Sequence, residues 1–81
     1  MNKTDLRLKF VDQLIIDAIE HGMNNFEDIL SYAGRNYSGD RPQPFVAVVE
    51  RRQQALRRKG VIQFDRRAKS WSITNRTLIE A

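Results

Sequence analysis

The chain has no cysteine, which removes disulfides, thiolate metal sites and thiol nucleophiles together. Its single histidine, His21, cannot build a histidine-rich metal site. No apolar run approaches the roughly 18 residues that a membrane-spanning helix needs. Residues 1–5 lead into an amphipathic segment rather than an apolar signal core. There is no glycine-rich phosphate loop, no histidine pair and no nucleophile with an evident base. These absences set the expectation of a cytoplasmic protein that is not an enzyme, needs no cofactor, meets no membrane and has no evident small-molecule substrate. With 81 residues the chain is read as one domain over 1–81, with a thin hydrophobic core.

Charge is plentiful but unevenly placed. Residues 1–40 hold four basic against seven acidic groups, a net of −3. Residues 41–81 hold ten basic against three acidic groups, a net of +7. The overall +4 thus hides a strongly basic second half, the pattern expected for a polyanionic partner. The plainer reading is a solvated basic face that only aids solubility.

Three helices are expected. The first covers 5–21, where Leu8, Val11, Leu14, Ile15, Ala18 and Ile19 fall at three-and-four spacing on one face. Thr4 or Asp5 is its expected N-cap and Gly22 its stop. His21 reads as a helix-end residue, and Asp12, Asp17 and Glu20 as a solvated face. The second helix covers 26–33, capped by Asn25 and ended by Gly34, with Phe26, Ile29, Leu30 and Ala33 facing inward. Residues 34–43 are rich in Gly, Asn, Ser, Asp and Pro, which is turn chemistry. The third helix is expected from Pro44, taken as its first helical position.

At about 100° per residue, Phe45, Val48, Val49 and Leu56 of the third helix gather on one side. Glu50, Arg51, Gln54, Arg57 and Arg58 gather on the other. Arg52 falls inside the apolar stripe and is expected to play a structural part, either snorkelling past the core edge or pairing with an acidic group, for example on the first helix. Beyond Gly60, residues 61–65 and 70–73 alternate in β fashion around a turn at 66–69. Trp71 is expected to anchor this hairpin to the core. Residues 75–81 are expected to add one helical turn, with Leu78 and Ile79 covering the core.

The candidate nucleic-acid-binding residues are Arg51, Gln54, Arg57, Arg58 and Lys59 on the helix, with Arg66, Arg67 and Lys69 on the hairpin tip. Arginine can grip guanine and glutamine can grip adenine through two hydrogen bonds each, which makes Arg51 and Gln54 the expected base readers. The remaining cations suit phosphates or a narrow minor groove. Single strands are disfavoured, because no aromatic stacking motif reads as exposed.

The run Leu56-Arg57-Arg58-Lys59-Gly60-Val61-Ile62, continued by Arg66-Arg67 and Trp71-Ser72-Ile73-Thr74, resembles the helix-to-wing junction of winged helix-turn-helix domains. It is similar to the wing of bacterial and phage regulators and to the amino-terminal domain of Mrr-type restriction enzymes. The resemblance implies an α+β, mostly helical fold: three helices and a C-terminal two-stranded β-hairpin wing. It further implies double-stranded DNA as partner and a role in transcription regulation or as an accessory factor, with a homodimer as a further expectation for the first helix or the tail. Two features depart from the pattern. The connection over 34–43 exceeds the usual turn of about three to four residues, as a decoration or because the second helix runs longer. Glu50, on the outward face, would repel phosphate unless it accepts from a cytosine amino group. The alternative is a winged-helix protein–protein interaction module without nucleic-acid contact.

Overall fold

A computed structural model describes residues 3–75. Its order is α1 (Lys3–Glu20), α2 (Phe26–Asn36), α3 (Phe45–Lys59), β1 (Ile62–Asp65) and β2 (Ser70–Ile73). This is the expected mostly helical α+β domain of three helices and a C-terminal antiparallel hairpin. The expected turn at 75–81 lies outside the described residues apart from Asn75.

Helix α1 is the central support, packed against α2, α3 and β2. Val11, Leu14, Ile15 and Ala18 meet Ile29, Ala33, Phe45, Val49, Leu56, Val61, Ile62 and Trp71 in one core. Ile16 is also fully buried, as a helix covered on more than one side requires. Helicity already includes Lys3, so Thr4 and Asp5 lie inside the first turn rather than capping it. At the other end Gly22, with φ +89°, closes the helix. Its N–H reaches Ile19 O, and that of Met23 reaches back to Ala18 O at 2.9 Å. His21 stays at this exposed end, its Nδ1 2.6 Å from Asp17 O.

Helix α2 begins as expected, with the Asn25 side chain accepting from the Asp28 N–H at 2.9 Å. Its end is a correction, because Gly34 does not stop it and the helix continues to Asn36. A Cβ at Gly34 would stand 3.0 Å from Arg41 Nη1 and 3.9 Å from Phe45 Cε2. Gly34 thus lies inside the helix, and the nearest neighbour of that Cβ would be only the far end of the Arg41 side chain. Asn36 closes the helix locally by donating to Tyr32 O at 2.8 Å. The longer α2 shortens the connection to residues 37–44. Tyr37 holds that loop down, edge-on to Phe10 at 5.0 Å and to Phe45 at 5.8 Å.

Helix α3 starts one residue later than expected. Pro44 is its N-cap in extended conformation, and its carbonyl accepts from the Val48 N–H at 3.1 Å. Its far end carries the junction that the sequence singled out. Gly60 adopts φ +83° and donates to Arg57 O and Leu56 O, while Val61 N–H reaches Leu56 O at 3.0 Å. Leu56 and Val61 are both fully buried, which completes the apolar clasp of this helix-ending motif. Val61 is thereby used as a cap and does not join β1, so the strand begins at Ile62. The Val61 carbonyl accepts from the N–H groups of Thr74 and Asn75, closing the hairpin base.

Within the hairpin Ile62 faces Ile73 and Phe64 faces Trp71. Trp71 is buried, and its N–H donates to Asn24 O at 2.7 Å, tying β2 to the connection between α1 and α2. It is the anchor that a two-stranded ribbon needs.

Candidate nucleic-acid interface

Two elements carry the candidate residues, and the Gly60 junction sets how they meet. Arg52 fixes the roll of α3. Its Nε and Nη2 donate to the two carboxylate oxygens of Asp12, each at 2.8 Å. Asp12 is only 4% exposed, so its assignment to a solvated face is corrected: it is the buried acid that accompanies an arginine within the apolar stripe. The hydrogen bond to Asp12 holds the Arg52 guanidinium above its ordinary pKa, with desolvation pulling the other way. Arg52 is consequently a structural residue.

With that roll fixed, the outer surface of α3 divides. Glu50, Gln54 and Arg57 turn toward the hairpin and line an open groove of about 550 Å³. Arg66, Lys69, Phe64 and Trp71 line it from the hairpin side, and Phe26 from the start of α2. Arg51 and Arg58 are exposed on α3 but do not line the groove, and Lys59 is exposed at the end of the helix. Arg67 is exposed at the hairpin tip but does not line the groove. Of the eight candidate residues, Gln54, Arg57, Arg66 and Lys69 are thus brought together across one concavity. None of the seven candidate cations forms an ion pair with a described residue.

The tip is built, not merely charged. Asp65 Oδ1 accepts from the backbone N–H of Arg67 at 2.8 Å and of Ala68 at 3.2 Å. Asp65 accordingly shapes the turn that presents the cations. Lys69 takes the left-handed conformation, φ +52°, to bring the chain back into β2.

Two residues of this groove were not legible as candidates. Phe64 alternates correctly for an inward strand position, yet it is 41% exposed, because it lies beyond the part of the hairpin that covers the core. An exposed aromatic therefore does stand beside the cationic tip, which corrects the expectation that there was none. Gln53 is 2% exposed, and its Nε2 has no hydrogen-bond partner among the described residues. A buried unpaired amide donor costs about 1–3 kcal/mol. Its signal was present in the helical spacing, where Gln53 falls beside Val49 at the edge of the apolar stripe.

Among the described residues no helix is long and apolar enough to cross a membrane. The chain matches no family model, no curated protein and no solved structure.

Proposed function

We propose that this protein binds duplex DNA through α3 and the hairpin tip, as a winged-helix regulator or accessory factor. The observation that carries the reading is the set of cations on these two elements, unpaired with any described residue, four candidate residues facing one another across a single groove. Duplex DNA is a dense line of phosphates, and each phosphate neutralised releases condensed counterions, which supplies sequence-independent affinity. A helix fits the major groove. Arg51 and Gln54 are the proposed base readers, Arg57, Arg58 and Lys59 the phosphate contacts of α3, and Arg66, Arg67 and Lys69 the wing contacts. The proposed cellular setting is the cytoplasm, and a second copy of the chain is the proposed further partner.

The test is fluorescence anisotropy of mixed-sequence duplex DNA at several salt concentrations. The expected result is a log–log slope that, divided by about 0.9, counts four or more phosphates. Absence of binding even at low salt would reject the reading in favour of a protein-interaction module.

A further inference from the structure

We infer that the groove between α3 and the hairpin receives an unpaired nucleobase next to a duplex end, so that the protein prefers DNA with a single-stranded extension to a blunt duplex. The inference rests on the duplex-binding proposal, and it accounts for three features that phosphate contacts leave unused.

The first feature is Gln53. A buried amide donor without a partner among the described residues carries a cost that a bound acceptor would remove. It lies in the lining of the groove, not in the middle of the core. The second is the aromatic wall. Phe64 is exposed, while Trp71 behind it, with ring centroids 5.1 Å apart, is buried. Phe64 thus offers free ring surface to the groove, and every base has a π-face that such a ring can stack on. The third is Glu50, an acid placed among Arg57, Arg66 and Lys69. Toward phosphate it is repulsive, whereas toward a base edge it is an acceptor for an exocyclic amino group.

Aromatic surface, an amide donor, a carboxylate acceptor and a cationic rim together match one nucleotide: ring, base edge and phosphate. The groove, about 550 Å³, is in the range of about 300–1,000 Å³ common for small-ligand sites. A base stacked inside a duplex presents its edges but neither face, so the ring surface of Phe64 is left for a base whose face is uncovered. Arg58 and Lys59 lie outside the groove lining, where the adjoining duplex would supply their phosphates, and Arg51, also outside it, keeps its proposed contact to base edges of that duplex. The acceptor role of Glu50 further favours cytosine, adenine or guanine over thymine in the groove.

The experiment uses the full chain and three labelled DNAs with equal numbers of phosphates, one blunt, one with a short 5′ single-stranded extension and one with a short 3′ extension. A 2-aminopurine at the first unpaired position reports stacking. The expected result is about tenfold tighter binding of an extended duplex, together with a change in 2-aminopurine emission that is missing when the same base is paired. Gln53→Leu removes the amide at similar volume, and Phe64→Ala removes the ring. Each should bring the extended duplex to the affinity of the blunt one, with the blunt-duplex affinity and salt slope unchanged. Equal wild-type binding of extended and blunt DNA, or a preference that survives in both variants, would overturn the groove assignment alone. Failure to bind either DNA would overturn both this inference and the duplex-binding proposal.

Discussion

Arg52 and Asp12 stand 40 positions apart in the chain and are joined by two parallel hydrogen bonds of 2.8 Å. The pair is a bolt between α3 and α1. A helix held only by apolar contacts can repack by sliding or rolling, whereas a two-pronged arginine–carboxylate contact has one satisfactory geometry. Because Glu50, Gln54 and Arg57 occupy the flank of α3 turned to the hairpin, that geometry decides what faces the groove.

Breaking the pair should cost more than removing it. Arg52→Ala leaves Asp12 buried without its partner and is expected to lower stability by about 2–4 kcal/mol. In a domain of this size each 1 kcal/mol shifts the melting temperature by about 4–8 °C. The double variant Asp12→Leu/Arg52→Met should recover most of the loss, because no charge is then left buried. Urea unfolding of the three proteins measures both effects. Arg52 titrates above its ordinary range in the folded state, so its contribution is fully present below that range and fades only as pH rises through the folded value. Raising the pH from about 6 to about 9 should leave this contribution unchanged.

Two glycines should respond with opposite signs. Gly60→Ala forces a Cβ into φ +83° and is expected to destabilise by about 1 kcal/mol. Gly34→Ala sits inside a helix, where the nearest obstacle is the end of the exposed, flexible Arg41 side chain. The expected outcome is a gain of up to about 1 kcal/mol from helix propensity, with Arg41 moving aside. Thermal unfolding of the two variants distinguishes them.

The cations of α3 should differ in kind. Arg58→Ala is expected to weaken binding about equally for all sequences and to lower the salt slope by about 1, as loss of one phosphate contact requires. Arg51→Ala should instead change the ranking of duplexes, with a loss of about 1–3 kcal/mol confined to preferred sites. Selection of bound sequences from a random pool, run with each variant, tests the distinction.

Much of the fold was legible because its determinants are local. Apolar spacing gave α1 and α3, Asn25 marked the start of α2, and the Leu56–Ile62 run marked the junction into the hairpin. The misses share a cause. Gly34 looks like a stop until Ala33 is seen in the core and Tyr37 against Phe10 and Phe45, packing that carries α2 past it. Asp12 looks solvated until Arg52 arrives from α3. Phe64 and Gln53 were not singled out because alternation and helical spacing give the direction of a side chain, not whether anything covers it. In the candidate site the cations were readable from charge alone, while the aromatic and amide lining needed the hairpin folded against α3.

The most direct test of the central claim is the salt dependence of duplex binding by an Arg66→Ala/Arg67→Ala/Lys69→Gly variant. Glycine is chosen at position 69 because Lys69 has φ +52°, so the turn is kept while the charge is removed. If the hairpin tip is a DNA-contacting wing, the wild-type slope corresponds to four or more phosphates and the variant loses about two to three of them. A variant with the wild-type slope and affinity, or a wild-type protein that ignores duplex DNA at low salt, would contradict it.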